Sequence, residues 1–402
     1  MKNLKVCMVT DSLFSPGGIA TAVRELSYSL ALRGLEVQVI TCKGKNDDPK
    51  KLLKIIKLES KKRPFGLWDL SEASLITSRA INRLVEDFDL IHVHGPIALA
   101  RFFTMGSRKV PWLITVHGTF QKELPWLKTY PVVNMDMLRY RLGTRLMIGF
   151  ESWLYRSISS CVGFIAVSQQ TKDDLIGIGV NRRKVTVVPN GVNTELYRPM
   201  DVDESRAKLR MEKLIGSDKK VVLTVNFIEP RKGIHILIRA FHKVLKEIGD
   251  AHCIIVGGSA LNGYSQYLGR LVTSLGLEKN VHFTGYVQDD VLPYYFSACD
   301  VFVLPSLAEG APLVVPMAMA CRKPVVATTA CAASEYLEPE CTLIPGRQME
   351  LAEMLISYLA KDGEASNLAD RLYRKAVPEL TWGEIANKTM SVYERMLEST
   401  VR

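Results

Sequence analysis

Apolar residues in this chain come in short unbroken runs, each followed by a stretch in which they recur every three or four positions. Residues 4–10 form one such run, and a Gly/Pro-rich loop, 11–18, follows it. Over 19–33 the spacing of Ala22, Leu26 and Leu30 predicts a helix that stops at Gly34, a residue suited to a helix end. Runs at 37–41, 90–93, 112–116 and 163–167 continue the rhythm. Unbroken runs mark strands buried on both faces, and their alternation with helices predicts right-handed βαβ units on a parallel sheet.

The second half starts the rhythm again. Strands are expected at 221–226, 253–256, 281–284, 301–304 and 325–327, with helices at 234–248, 264–275 and 312–321. Residues 190–203, with Pro199 and little periodicity, read as a linker. The stretch 381–397 follows two other helical segments with no strand between them. A chain of 402 residues exceeds one ordinary core. The expected fold class is α/β, with two doubly wound Rossmann-like domains facing across a cleft that holds ligands.

Composition adds exclusions. No apolar run approaches the roughly 18 residues that span a bilayer, and a strand begins too near Met1 to leave room for a signal peptide. Eight cysteines stand singly with no CxxC pair, the pattern of reduced thiols in a cytoplasmic protein rather than of disulfides or a metal set. The net charge of +10 is uneven: residues 1–190 hold 28 Lys+Arg against 16 Asp+Glu, and the rest 24 against 26. A basic first half suits an anionic substrate, a polyanion or an anionic membrane surface; a plain solubilising surface is the alternative.

The residues able to do chemistry sit at strand ends. Gly17 and Gly18 let backbone amides approach an anion just before the first helix. Their spacing is not GxGxxG, which argues against a dehydrogenase-type dinucleotide site. His92 and His94 share one strand face, either as structural histidines or as two metal ligands without a visible third. His117 ends a strand before Gly118, at the carboxyl edge where α/β sheets hold ligands. Arg231 and Lys232 put cations at another such edge, with Lys232 expected free of a carboxylate partner, to neutralise a diphosphate without a metal. Gly257 opens a further close-approach loop. Glu309, followed by the amides of Gly310, Ala311 and Leu313 at a helix start, suits hydroxyls and phosphate together.

In this order the segments resemble the retaining glycosyltransferase family four, of the GT-B fold. The resemblance rests on Gly17-Gly18, Thr115-Val116-His117-Gly118, Val167-Ser168, Val188-Pro189-Asn190-Gly191-Val192, Pro230-Arg231-Lys232-Gly233, Glu309-Gly310 and Lys323-Pro324-Val325-Val326, and covers nearly the whole chain. It implies an enzyme that moves a sugar from a UDP- or GDP-linked donor to a glycan or lipid-linked acceptor, with no cofactor and no metal, keeping the anomeric configuration. It implies an acceptor domain over 1–195, a nucleotide-sugar domain over 196–380, and a helix within 381–402, around Trp382, that packs back on the first. His117 would bond the transferred sugar, Lys232 the leaving phosphates and Glu309 the sugar hydroxyls. Gly17, Gly18, Arg231, Gly257, Gly310, Ala311 and Leu313 would help bind the donor, and Val287 would contact its base.

Three positions depart from that pattern. Phe227 stands for a usual arginine, Arg322 for a usual glycine, and Met317, after Pro316, for the glutamate that bonds the ribose. Thioether sulfur is only a weak acceptor. These departures keep open a weakened relative that acts as a binding or scaffolding subunit; an epimerase or phosphorylase is a third reading. No nucleic-acid partner is expected. The segment 43–63 holds nine basic and three acidic residues, and Leu138, Leu142, Leu146, Phe150 and Trp153 form a helical stripe with Arg141, Arg145 and Arg156 on the other side. Both suit peripheral contact with the cytosolic face of an anionic membrane; core packing suits the stripe equally.

Overall fold

The computed structural model describes residues 3–43, 48–58, 67–84, 87–95, 110–132, 134–212, 214–215, 219–259 and 261–401. They form two units. The first takes in Met1–Thr119, Gly149–Gly191 and Leu380–Arg402, the second Phe120–Ile148 and Val192–Glu379.

The first unit begins with β1 (Lys5–Ser12), α1 (Gly18–Ala31), β2 (Glu36–Lys43), β3 (Lys54–Lys57), α2 (Leu67–Leu84), β4 (Leu90–His94) and β5 (Trp112–Val116). After α3 (Met135–Ile158), which straddles both units, come β6 (Gly163–Ala166), α4 (Gln169–Ile178) and β7 (Val185–Val187). The strands pair in parallel in the order β3-β2-β1-β4-β5-β6-β7. Alternate residues of β4 and β5 (Ile91, Val93, Trp112, Ile114 and Val116) enter one apolar core with Phe164 and Leu175. The two-residue period sends His92, His94 and Thr115 to the opposite face.

The second unit contains α5 (Val202–Met211), β8 (Lys220–Val225), α6 (Ile234–Ile248), β9 (Ala251–Val256), α7 (Asn262–Ser274), β10 (Val281–Gly285), α8 (Leu292–Ala298), β11 (Val301–Leu304), α9 (Val314–Ala320), β12 (Val325–Thr328), β13 (Thr342–Leu343), α10 (Gln348–Ala360) and α11 (Asp362–Ala376). Its parallel sheet runs β10-β9-β8-β11-β12-β13. Helix α6 shows why the sequence was readable here. Leu237, Ile238, Phe241 and Val244 recur at helical spacing, are fully buried, and pack with Ile255, Val301 and Val303. The last helix, α12 (Trp382–Val401), belongs to the first unit. There Gly191 admits the Trp382 ring: a Cβ at Gly191 would stand 2.6 Å from it.

Most boundaries differ from expectation by a residue or a few, and two of the differences bear on the site. The helix expected at 312–321 is the shorter Val314–Ala320. Residues 120–148 group with the second unit rather than the first, because Met137 enters the second core and Leu127, Tyr130 and Ile148 close around Leu307. Of the stripe on α3, Phe150 packs on the first core. Leu138, Leu142, Leu146 and Trp153 are 36%, 55%, 66% and 50% exposed, so core packing does not account for them. Residues 44–47 and 59–63 of the basic segment 43–63 lie outside the described residues. Among the described residues no helix is long and apolar enough to cross a membrane.

Candidate active site

The strand order of the second sheet turns back between β8 and β11, and the loops leaving these two strands carry a cluster of ion pairs. The first loop ends in the 3-10 turn Pro230–Lys232 and Gly233, whose φ is +66°. A Cβ at Gly233 would lie 2.0 Å from the carbonyl oxygen of Pro305, so only glycine lets the loops meet. The Leu307 amide donates to the Arg231 carbonyl at 2.7 Å and fixes their register.

That meeting brings Arg231, Lys232 and Glu309 together. Lys232, 9% exposed, is ion-paired through Nζ with Oε1 of Glu309, 8% exposed. Ser306 Oγ donates to the same oxygen at 3.3 Å. Arg231 donates from Nη1 to Glu309 Oε2 at 3.2 Å and from Nε to Glu229 Oε2 at 2.8 Å. Lys232 is therefore not the unpaired lysine expected from sequence. Burial pushes the Glu309 carboxyl up, but the Lys232 and Arg231 charges outweigh it and hold the group below its ordinary value. Burial, aided by the Arg231 charge, pushes the Lys232 ammonium down.

Sequence reasoning missed Glu123. It lies in the 3-10 turn Phe120–Trp126, 6% exposed, with Oε1 3.9 Å from Arg231 Nε. The Tyr130 and Tyr140 hydroxyls donate to its Oε2 at 3.3 and 3.2 Å. Burial raises its carboxyl above the usual range against the pull of Arg231. Lys122 Nζ donates to the Glu309 carbonyl at 3.1 Å. The segment has no periodicity; its one signal was an acid among Phe120, Leu124, Pro125 and Trp126.

The other expected donor contacts of the second unit lie in loops at the ends of its strands. Gly257, at φ +142°, is required by packing: a Cβ would stand 1.8 Å from the Asn226 carbonyl oxygen. Its amide donates to Gly285 at 2.8 Å, so it shapes the loop rather than offering an N–H to a ligand. Val287 follows β10 and is half-buried, as are Gly310 and Ala311; Leu313 and Met317 are buried. Pro316 stands in the first turn of α9, where a missing N–H does no harm. Phe227 is 43% exposed in the loop after β8. Arg322 has φ +52°, the conformation that favours the glycine it replaces.

In the first unit Gly17 precedes α1 with φ 142°, Gly17 and Gly18 are exposed, and no side chain caps the helix. His117 follows β5 and pairs with His94, Nε2 to Nδ1 at 3.1 Å. Of the two readings of His92 and His94, the structural one fits. Both ring nitrogens of His92 are taken up, by Tyr393 and Thr115.

Two family models match successive parts of the chain, one described as Glycosyltransferase Family 4 over residues 16–196 and one as Glycosyl transferases group 1 over 205–376. A GDP-mannose-dependent alpha-(1-6)-phosphatidylinositol monomannoside mannosyltransferase of Mycobacterium tuberculosis is 31% identical over 296 residues, 69% of each chain. The chain belongs to glycosyltransferase family 4. An uncharacterized glycosyltransferase of Methanocaldococcus jannaschii is similar over its length, 26% identical across 98% of this chain and 99% of that one. Among solved structures, the sucrose-phosphate synthase of Thermosynechococcus elongatus superposes with a TM-score of 0.83 over 99% of this chain and 100% of that one, at 22% identity. The two share the GT-B fold. As a family-4 member the chain is an enzyme of the hexosyltransferase class.

Proposed function

We propose that this protein is a retaining glycosyltransferase that takes a sugar from a UDP- or GDP-linked donor and passes it to a glycan or lipid-linked acceptor, with no metal or organic cofactor. The observation that carries the reading is the convergence of Arg231, Lys232 and Glu309 from the loops after β8 and β11. Doubly wound sheets hold ligands where the strand order turns back. Two cations there suit the charge that grows on a departing diphosphate. As the donor binds, phosphate oxygens replace Glu309 on Lys232 and Arg231, and the released carboxylate accepts hydrogen bonds from sugar hydroxyls. The acceptor hydroxyl attacks the anomeric carbon as its bond to the phosphate oxygen breaks, on the same face, and that oxygen takes the hydroxyl proton. From the first unit the proposal assigns the Gly17 and Gly18 amides to phosphate and His117 to a sugar hydroxyl. The GDP-mannose dependence of the mycobacterial relative supports a nucleotide-sugar donor.

The test is transfer with candidate donors in the presence of EDTA. Release of UDP or GDP that requires acceptor, giving a product of unchanged anomeric configuration by NMR, is expected. Turnover without acceptor would favour an epimerase, and binding without turnover a scaffold.

The lipid-linked acceptor and a peripheral membrane contact have their own support in α3. Met135, Leu138, Leu142, Leu146 and Trp153 form an exposed stripe. At about 100° per residue, Arg145 falls roughly 20° from Leu138 and so borders the stripe instead of opposing it. Arg156 turns away and donates to the Ile178 carbonyl at 3.0 and 3.1 Å. An apolar stripe edged by arginine suits the interface of an anionic bilayer.

A further inference from the structure

One face of the first sheet carries a line of polar side chains of which the proposed reaction uses only His117. β4 and β5 pair with His94 opposite Thr115, so His92, His94, Thr115 and, two residues on, His117 share that face. His92 Nδ1 bonds the Tyr393 hydroxyl of α12 and its Nε2 bonds Thr115 Oγ1, both at 2.7 Å. The His92 and His94 rings lie 4.2 Å apart. His94, 2% exposed, bonds His117 through Nδ1 and has no hydrogen-bond partner for Nε2 among the described residues. Behind it lies a cavity of about 20 Å³ lined by His94, Thr115, His117, Asn190, Trp382 and Thr389.

All three rings are neutral at ordinary pH. Burial, with no carboxylate among the forces acting on them, lowers His92 to about 3, His117 to about 4, and His94 well below the usual value. Two neutral imidazoles that share one hydrogen bond have only two correlated states. If His94 Nδ1 holds the shared proton, His117 is protonated on Nδ1 and His94 Nε2 is a bare lone pair. If His117 Nε2 holds it, His94 is protonated on Nε2 and that buried N–H has no protein acceptor among the described residues. An orphaned buried N–H is the rarer and costlier case.

We infer that His94 is a positioning residue that holds His117 in its Nδ1-protonated form, so that the free edge of His117 meets a ligand as a hydrogen-bond donor. The inference rests on the proposed role of His117 as a sugar contact. It makes His117 specific for a hydroxyl oxygen that accepts, and it links that ring through His94 and β4 to the docking of α12.

The test is ¹⁵N NMR of the full-length, histidine-labelled protein without substrate, with His117→Ala to assign the resonance. The parent should show His117 as one tautomer, protonated on Nδ1. His94→Phe keeps the ring volume but removes the bond and should give a tautomer mixture, with kcat for transfer down about tenfold and donor KM little changed. His94→Asn, whose amide can again donate to Nε2, should recover part of both; it also guards against a His94→Phe variant that fails to fold. An Nε2-protonated His117 in the parent, or one tautomer and full kcat in His94→Phe, overturns the inference. An active His117→Ala variant would instead overturn the sugar-contact reading and leave the tautomer result standing.

Discussion

Lys232 and Glu309 neutralise each other within the second unit, so each is poised to exchange its partner for a ligand. Lys232→Ala should reduce transfer by about a hundredfold, on the order of 3 kcal/mol for one preorganised charge. Removing one member of a buried pair usually costs about 3–5 kcal/mol of stability. Here Arg231 and Ser306 still bond Glu309, so melting should show a smaller loss than that. Initial rates and a thermal melt on one preparation check both; turnover within threefold of the parent would exclude Lys232 from the phosphate site. Arg322 makes a separate case, because its φ of +52° is a conformation that disfavours any side chain by about 1–2 kcal/mol. It is offset by an ion pair with Asp370 at 3.3 Å and by stacking over Tyr373 at 4.8 Å, both on the surface and each worth about 1 kcal/mol or less. Arg322→Ala loses the contacts and keeps the strain, while Arg322→Gly loses both. Chemical denaturation should therefore find the glycine variant more stable than the alanine variant by about 1 kcal/mol.

At the scale of elements, the long buried strands and α6 were legible because their apolar residues follow one period without interruption. The strands that sequence did not reveal are β3, β7 and β13, of four, three and two residues. All three are sheet edges, where short and polar strands are the rule, and none is long enough to carry a pattern. Arg231, Lys232 and Glu309 in the candidate site, and His117 in the first unit, were legible from their place at strand ends. Their pairings were not, since Lys232–Glu309 and His94–His117 depend on how separate loops meet. Nor was the membership of residues 120–148 legible, because chain order says nothing of which core Met137 enters. Glu123 came with that segment, and it bears on pH. An unfolded glutamate loses its proton near 4.5, whereas burial keeps Glu123 protonated to higher pH in the fold. Above 4.5 the folded state thus holds more protons than the unfolded one, and the stability this group contributes at low pH fades as pH rises. Glu123→Gln removes the titration but keeps an acceptor for Tyr130 and Tyr140. Its melting temperature relative to the parent should climb from pH 4.5 toward 8; a flat difference would mean that the carboxyl titrates normally.

For the whole molecule the open question is what the basic half of the chain and the apolar stripe of α3 are for. The excess of 28 Lys+Arg over 16 Asp+Glu in residues 1–190 attracts any anionic surface, but only within about 8 Å at physiological ionic strength. Each basic residue near such a surface contributes about 1 kcal/mol, and that contribution weakens as salt rises. Burying a leucine in the interface contributes roughly 1.5–3 kcal/mol and does not depend on salt. The two forces can therefore be separated by vesicle flotation. Anionic vesicles should capture the protein at low salt, with capture falling but not vanishing as salt is raised, and neutral vesicles should capture it weakly at any salt. Leu142→Asp with Leu146→Asp, two exposed positions whose replacement leaves both cores intact, should abolish the salt-resistant part on either vesicle. If the double variant floats as the parent does, the stripe is not the membrane contact, and the attraction comes from the basic surface alone. If the parent floats equally on neutral and anionic vesicles, the charge asymmetry plays no part, and the exposed leucines and Trp153 suffice to hold the protein at the surface.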